Sequence, residues 1–243
     1  MKKITKIIII CVSALATLAV LGSLIYYFAV ALPKEKQEKE WREMMQNYYD
    51  AKVSSFKDEN NEYADYEVDV AFIGDSLTDG YDLKEFYPQY TVVNRGISGD
   101  TTFGVENRLE TSLYDLKPKV VVMLIGVNNI HTMFDNYENI LISLRDNLPE
   151  SEIVLISLTS MSKEWGKNNQ LAAYNNVKIK LLAEKYGYKY VDLYSALLDV
   201  ETGEIRAEYT TDGGHLTPKG YQIYTQTLTP VLEELDCLKK QGE

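Results

Sequence analysis

The sequence predicts a three-layer α/β/α sandwich around a parallel sheet, preceded by an N-terminal apolar helix. Two observations predict the sandwich. Short apolar runs rich in β-branched residues alternate with helical patterns, and these runs are apolar along almost their whole length. A parallel strand covered by helices on both faces requires such a run. The chain has 243 residues, which suits one globular domain and an appendage.

The segment 1–32 differs in kind from the rest of the chain. From Ile7 to Leu32 it carries no charged residue, and a run of this length can cross a hydrocarbon core of about 30 Å. Lysines precede the run, and Tyr26, Tyr27 and Phe28 lie near its far end, as aromatic residues do at a membrane interface. We therefore expect a membrane anchor. A cleaved signal peptide is the alternative, because Ala29-Val30-Ala31 fits a cleavage site.

Both alternatives send the rest of the chain across the membrane. Basic residues flank the apolar run on both sides, so we take its direction from the short basic tail that precedes it, which is typical of export signals. We expect a cytoplasmic N-terminus and an extracytoplasmic domain. The charged segment 33–62 is expected to form a juxtamembrane helix or stalk, and residues 63–243 the globular domain.

Charge and cysteine content exclude other classes. The chain holds 36 acidic and 25 basic residues, for a net charge of −11, whereas a nucleic-acid-binding protein normally has a basic surface. Cys11 lies in the apolar run and Cys237 near the C-terminus, so no disulfide is expected within the globular domain. An exported domain without disulfides must depend on its hydrophobic core.

The apolar runs predict five strands, with helices between them. The last helix has a clear start, with Thr217 as N-cap and Pro218 at the first helical position. Since ligands of such folds bind beyond the carboxyl ends of the strands, functional residues should follow the strands directly. The predicted strands are Val68–Ile73, Thr91–Val93, Val120–Ile125, Ile153–Leu158 and Tyr188–Leu193. Apolar residues spaced three and four apart predict helices through Val105–Leu116, Tyr137–Leu148 and Leu171–Leu182, the last with a stripe that includes Tyr174 and Leu181.

A serine stands at the end of the first strand. Ser76 lies in Gly74-Asp75-Ser76, in a tight turn that leads toward a helix, where backbone N–H groups and the hydroxyl point the same way. A serine needs a neighbouring base to act as a nucleophile. Taken alone, a serine at this position is equally consistent with a helix N-cap.

The base can be sought by elimination, because the chain has two histidines. Asp212 precedes His215 by three residues, with two glycines between them that permit a sharp loop. The carboxylate can accept a hydrogen bond from imidazole Nδ1 and leave Nε2 free to take the serine proton. His131 has no acid so placed, and we expect it on the surface or at the rim of the site.

Acyl transfer also needs donors for the developing oxyanion. Gly99 follows the second strand and offers a backbone N–H, while Asn128 follows the third strand and offers a side-chain amide. Together with the N–H of Ser76 they would supply three donors. Each is ordinary turn chemistry when taken singly, but their joint placement after successive strands favours a catalytic site.

These residues resemble the conserved blocks of a known family. Gly74-Asp75-Ser76, the Gly99 turn, Gly126-x-Asn128 and Asp212-x-x-His215 are similar, in order, to the four blocks of the SGNH or GDSL hydrolases. The resemblance covers about Val68 to Leu235. It implies a flavodoxin-like five-stranded parallel sheet and a serine esterase that needs no metal or cofactor. The stretch from Asn94 to Thr102 is similar to the platelet-activating-factor acetylhydrolase-like and bacterial acetylesterase branches.

The resemblance also implies roles for single residues. Ser76 is the expected nucleophile, with Asp212 and His215 completing the triad, and Gly99 and Asn128 join Ser76 as oxyanion donors. Asp75 is expected to support the site, as is Asn129, which stands where the family usually has an aspartate. This departure leaves the level of activity open.

The substrate is the least determined part of the prediction. We expect hydrolysis of acyl esters, acetyl or short-chain, on a cell-envelope carbohydrate or lipid. The segment after the fourth strand should border the pocket, with Met161 and Trp165 at its rim. Two other classes remain: a flavodoxin-like ligand-binding domain, which leaves Asp212 and His215 unexplained, and a catalytically inactive envelope-binding domain.

Overall fold

The computed structural model describes residues 2–239. The outer ends of the predicted first and last segments, residue 1 and residues 240–243, lie outside the described residues. The chain divides into two compact units, Met1–Ala51 and Lys52–Glu243.

The first unit is helical. Helix α1 spans Lys2–Tyr26, a five-residue π-helical turn spans Tyr27–Ala31, and helix α2 spans Leu32–Asn60. Within residues 2–239, this continuous helical run is the one long and apolar enough to cross a membrane, a property that a signal sequence shares. The charged part of α2 carries exposed lysine–glutamate pairs four residues apart, such as Lys36 with Glu40, which favour a solvated helix.

The second unit contains the predicted sheet. Within the described residues, five parallel strands lie in the order β2-β1-β3-β4-β5, which confirms the predicted fold class. The strands are β1 Val70–Gly74, β2 Val92–Gly96, β3 Val120–Leu124, β4 Glu152–Ile156 and β5 Lys189–Val191.

Helices cover both faces of this sheet. Alternate residues of β1 belong to different core clusters: Ala71 and Ile73 to one, Val70 and Phe72 to the other. The first cluster includes residues of α5, α6 and α8, and the second includes residues of α3, α4, α9 and α10. The helices are α3 Ser76–Asp79, α4 Leu83–Phe86, α5 Thr102–Asn107, α6 Tyr137–Asn147, α7 Lys163–Gly166, α8 Asn169–Tyr186, α9 Leu193–Leu197 and α10 Pro218–Glu233.

Helix α8 buries a different face from the predicted one. Tyr174 and Leu181 are 60% and 57% exposed, so the predicted stripe is wrong at these positions. Polar residues take their place inside: Asn175 donates to the carbonyl of Ile130 at 2.9 Å. Asn176 pairs with both backbone groups of Leu158, the segment that leads from β4 to the site. Satisfied hydrogen bonds let these amides occupy the core.

The last turns of α2 belong to the second unit. Phe56 and Asn60 are buried there, although the helix up to Ala51 belongs to the first unit. We keep the division into residues 1–32, 33–62 and 63–243 as a proposal. The end of its middle segment packs within the second unit.

Candidate active site

The candidate site lies where the strand order reverses. Strand β1 pairs with β2 on one side and with β3 on the other, so the chain moves in opposite directions after these strands. In open α/β sheets, such a switch point leaves a crevice at the carboxyl ends of the strands. Ser76 follows β1 and Asn128 follows β3, so both lie at this crevice.

Ser76 is the first residue of helix α3. The N-cap of this helix is Asp75, whose Oδ1 accepts from the N–H of Leu77 at 3.1 Å. Because Asp75 provides the cap, the hydroxyl of Ser76 is not needed for this purpose. The side chain of Ser76 is half-buried and faces the loop before α10.

Ser76, His215 and Asp212 form a chain of hydrogen bonds. Ser76 Oγ lies 2.9 Å from His215 Nε2, and His215 Nδ1 lies 2.7 Å from Asp212 Oδ2. With its proton on Nδ1, the imidazole donates to the carboxylate and presents Nε2 as an acceptor to the serine hydroxyl. This order of groups is the one that general-base activation of a serine needs.

Asp212 is held as a carboxylate by its own loop. Partial burial alone would raise its pKa, but hydrogen bonds from the backbone N–H and imidazole of His215 and from the N–H of Gly214 lower it below its ordinary value. The two N–H groups both donate to Oδ1, at 2.8 and 2.9 Å, and leave Oδ2 to the imidazole. The negative charge therefore stays next to His215, where it would stabilise an imidazolium.

Gly213, which follows Asp212, is required by the fold. Gly213 has a φ of +98°, and a Cβ there would lie 2.3 Å from the carbonyl oxygen of Ser162. The same backbone joins the two loops directly, since the N–H of Ser162 donates to the carbonyl of Gly213 at 2.9 Å. A larger residue at 213 would push His215 away from the segment after β4.

The expected oxyanion donors lie on the two neighbouring loops. The amide of Asn128 donates to the carbonyl of Asp100 at 2.8 Å, and a side-chain amide has a second hydrogen to offer. Asp100 follows Gly99, whose φ is +80°. The N–H of Ser76 is at the first position of a helix, where backbone donors have no acceptor within the helix.

Asn129 takes part in a network behind the site. Its Nδ2 donates to Thr102 Oγ1 at 2.8 Å, and Thr102 Oγ1 donates to Asn136 Oδ1 at 2.6 Å. An aspartate at position 129 would lack the donating amide. Asn129 therefore connects the turn after β3 to the first residue of α5 through a hydrogen bond that an aspartate could not donate.

Asp75 is buried next to the serine. Burial raises the pKa of its carboxyl from an ordinary 3.8 to about 7, although the hydrogen bond from Leu77 lowers it. Its Oδ2 has no hydrogen-bond partner among residues 2–239. A buried carboxylate oxygen without a partner favours the protonated form.

A small cavity adjoins Ser76 and His215. Its volume is about 20 Å³, on the order of one water molecule or one methyl group. Met161 and Trp165, both expected at the rim of the pocket, line this cavity; Met161 is buried and Trp165 is half-buried. The remaining lining residues are Leu77, Val127, Asn128, Thr159 and Gly214. Of these, Leu77, Val127 and Thr159 follow strands β1, β3 and β4, which is the signal that would have identified them.

A larger groove continues from the cavity on the far side of Trp165. It offers about 730 Å³ and is open to solvent. Trp165, Val127 and Asn128 border both spaces. The groove is otherwise lined mainly by polar side chains: Asn129, His131, Thr132, Glu164, Lys167 and Asn168, together with Ile130. His131 lines this groove and is exposed.

Comparison with known proteins gives consistent relatives. A 26% identical structure from "Streptococcus pneumonia", described provisionally as a platelet activating factor, superposes with a TM-score of 0.74 and covers 82% of this chain and 99% of its own. Platelet-activating factor acetylhydrolase IB subunit alpha2 from Rattus norvegicus is 29% identical over 70% of this chain and 79% of its own length. An acetylxylan esterase from Geobacillus stearothermophilus is 26% identical over 63% of this chain and 89% of its own.

A serine, a histidine and a carboxylate joined by hydrogen bonds at the carboxyl edge of an α/β/α sheet are typical of serine hydrolases. The family model of the GDSL-like lipases and acylhydrolases matches residues 72–223, more than half of the chain. The chain belongs to this family, and the protein is a carboxylic ester hydrolase.

Proposed function

We propose that the protein is a serine esterase in which Ser76 attacks the ester, His215 is the base and Asp212 orients the histidine. The observation that carries this proposal is the unbroken chain of hydrogen bonds, at 2.9 and 2.7 Å, that joins the three side chains. The short distances mean that no rearrangement is needed before the proton of Ser76 can move to Nε2.

The reaction then proceeds in two acyl transfers. Ser76 Oγ adds to the carbonyl carbon while His215 takes its proton, and the resulting oxyanion accepts from the N–H groups of Ser76 and Gly99 and the amide of Asn128. The C–O bond to the alcohol breaks as His215 returns the proton to the leaving oxygen. Water then gives a proton to His215 and adds to the acyl carbon, the bond from that carbon to Ser76 Oγ breaks to release the acid, and His215 returns the proton to Oγ.

The acyl group that fits best is acetyl. The cavity beside Ser76 has a volume of about 20 Å³. A methyl group therefore fills it, and a longer acyl group has to displace Met161 or Trp165. Two of the relatives are named for the removal of acetyl groups, platelet-activating factor acetylhydrolase and acetylxylan esterase. A short acyl pocket is consistent with both names.

The alcohol that fits best is a carbohydrate. The open groove presents an indole with amide, carboxylate, ammonium and imidazole groups around it, which suits the apolar face and the hydroxyls of a sugar. A lipid alcohol would need a longer apolar trough than Val127 and Ile130 provide. We therefore favour an O-acetylated cell-envelope glycan over a lysophospholipid or another lipid ester.

We also propose that the enzyme acts outside the cytoplasm and is held at the membrane by its N-terminal helix. The long apolar helix with lysines before it supports this proposal. Edman sequencing of the protein from membranes separates an anchor from a signal peptide. An N-terminus near residue 32 would show cleavage, and digestion of intact cells by added protease would show which side the domain occupies.

Product analysis tests the substrate. We expect the purified enzyme to release acetate from O-acetylated cell-wall polymer, and to release no fatty acid from lysophospholipid vesicles. Loss of acetate release in Ser76→Ala, prepared in parallel, assigns the activity to this site. Fatty acid release by the wild-type enzyme without acetate release would contradict the proposed substrate but not the esterase mechanism.

A further inference from the structure

The loop that carries Gly99 is held from both sides by polar side chains, half-buried on one side and buried on the other. Ser98 precedes Gly99 and gives both its N–H and its hydroxyl to Asp79 Oδ2, at 3.1 and 2.6 Å. Asp100 follows Gly99, and its carboxylate accepts from Arg108 Nε at 2.8 Å. The position of the Gly99 N–H is therefore set by its two neighbours.

Arg108 fixes the loop to the sheet. Its guanidinium also donates to the carbonyls of Gly74 and Arg95, at 3.0 and 2.9 Å, which lie at the carboxyl ends of β1 and β2. The ion pair with Asp100 is almost fully buried, at 1% and 3% side-chain exposure. This side of the loop is thus built from residues of the sheet and from Arg108, which follows the last residue of α5.

The other side of the loop depends on helix α2. Asp79 is the last residue of α3, the short helix that begins at Ser76, and its Oδ1 accepts from Lys52 Nζ at 2.8 Å. The side chains of Lys52 and Asp79 are only 27% and 12% exposed, so solvent screens the pair weakly. The carboxylate of Asp79 therefore joins α3, on which it lies, to α2 and to the loop that carries Gly99.

The end of α2 is packed firmly enough to serve as a fixed point. Phe56, one turn after Lys52, is 3% exposed, and its ring lies 4.9 Å from the guanidinium carbon of Arg95. Glu59 forms an ion pair with Arg95, and Asn60 accepts from Arg95 at 2.9 Å. Lys52, Phe56, Glu59 and Asn60 are spaced four, three and one residues apart, so they share one face of the helix.

We propose that Lys52 is a positioning residue of the esterase reaction, which sets the distance between Ser76 and the Gly99 N–H through Asp79 and Ser98. This inference rests on the roles proposed above for Ser76 and Gly99. The ammonium group fixes the rotamer of Asp79, and Asp79 in turn holds Ser98 against the end of α3. Without the ammonium, Asp79 can turn to solvent and the Gly99 N–H loses its alignment, which weakens stabilisation of the transition state and leaves substrate binding intact.

The test compares steady-state hydrolysis of p-nitrophenyl acetate by full-length variants in detergent. For Lys52→Met we expect kcat to fall about fivefold to tenfold while KM stays within about twofold of wild type. Lys52→Arg, which keeps the charge, should recover at least about half of the wild-type kcat. Lys57→Met is the matched control, since Lys57 is an exposed lysine of the same helix, and it should leave both constants unchanged.

A double-mutant cycle separates positioning from general stability. If Lys52 acts through Ser98, the combined Lys52→Met and Ser98→Ala variant should lose no more kcat than the worse single variant, whereas independent effects would multiply. Ser98→Ala alone keeps the inference testable if Lys52→Met does not fold, and it too should lower kcat with little change in KM.

The outcomes distinguish this inference from the proposed function. A wild-type kcat in Lys52→Met, a change confined to KM, or multiplying effects in the double variant would each overturn the positioning role while Ser76-dependent hydrolysis stands. Undiminished hydrolysis by Ser76→Ala would overturn the proposed function itself, and with it the role of Lys52.

Discussion

The indole of Trp165 meets the imidazole of His215 edge to face, with ring centroids 6.1 Å apart and ring planes inclined at 83°. Gly214, next to the histidine, leaves space for this contact, because a Cβ there would lie 2.9 Å from the indole. Trp165 also separates the small cavity from the open groove. Trp165 therefore contacts the proposed base and borders both the cavity proposed for the acyl group and the groove proposed for the alcohol.

Replacement of Trp165 by alanine should change the preference for acyl length. Loss of the indole enlarges the cavity, so we expect the ratio of kcat/KM for p-nitrophenyl butyrate over acetate to rise about tenfold, a change typical of a few methylene groups in an apolar pocket. Trp41→Ala is the control, because Trp41 lies in the first unit and is 58% exposed. An unchanged ratio in Trp165→Ala would show that the indole does not limit the acyl group.

The proposed nucleophile can be tested by its removal. Ser76→Ala should lower kcat for p-nitrophenyl acetate by at least about 10³-fold, because residual binding groups cannot replace covalent catalysis. It should also prevent labelling by a fluorophosphonate probe, which reacts with activated serines. Ser54→Ala, at an exposed position on α2, is expected to behave as wild type in both assays. Probe labelling of Ser76→Ala would point to another nucleophile.

Substitution of His215 and of His131 should affect activity very differently. His215→Gln removes the only imidazole within hydrogen-bonding distance of Ser76 among the described residues, and should lower kcat about 10³-fold or more. Asp212→Asn should lower kcat by about 10²- to 10⁴-fold, because the amide cannot fix the Nδ1–H tautomer. His131→Gln should keep more than about a tenth of the activity toward this small ester. A larger loss at His131 than at His215 would reverse the assignment of the base.

The residues after β3 should differ in the kinetic constant they affect. Asn128→Ala removes a proposed oxyanion donor and should lower kcat about 10²-fold with little change in KM. Asn129→Asp restores the residue usual in the family and keeps an acceptor for the N–H of Thr102, so we expect activity within about threefold of wild type. A loss as large as that of Asn128→Ala would mean that the amide of Asn129, and its bond to Thr102, orders the site.

Asp75 should make stability depend on pH. Burial raises its pKa from 3.8 to about 7, so the folded state binds more protons than the unfolded state between these values. The protonated carboxyl of Asp75 therefore stabilises the folded state fully below about pH 4, and this stabilisation is lost as the pH rises through about 7. Each unit of difference between the two pKa values corresponds to about 1.4 kcal/mol in the free energy of unfolding. In Asp75→Asn, which can still cap α3, Tm relative to wild type should increase from pH 4 to pH 8. A difference in Tm that is constant over this range would rule out the titration.

Periodicity and turn chemistry were sufficient for much of this fold. Four of the five strands begin and end within two residues of the predicted run, while β2 continues three residues beyond Val93, to Gly96. Helix α10 begins at Pro218 with Thr217 as its cap. The residues after the strands could be located because a parallel sheet gathers its carboxyl ends at one edge. Ser76 could be paired in advance with His215, 139 residues away, because the chain has two histidines and only His215 has an aspartate three residues before it.

Features that depend on long-range hydrogen bonds could not be predicted in this way. The stripe on α8 was assigned by hydropathy, but Asn175 and Asn176 are buried because backbone groups of distant segments satisfy them. Likewise, Lys52 lies in a charged segment whose pattern indicates a solvated helix. Only its 2.8 Å hydrogen bond to Asp79 connects it with the end of α3.

The packing of Phe56, Glu59 and Asn60 against Arg95 also decides where a soluble form of this enzyme can begin. A chain shortened to start at Tyr63 would leave the guanidinium of Arg95, which is fully buried, without Glu59 and Asn60. The same truncation would remove Phe56, which covers this guanidinium, so a charged group and the apolar core beside it would be uncovered together, a large loss for a domain of ordinary stability. A shortened chain should therefore start before Lys52, so that the apolar helix α1 can be removed without opening the core.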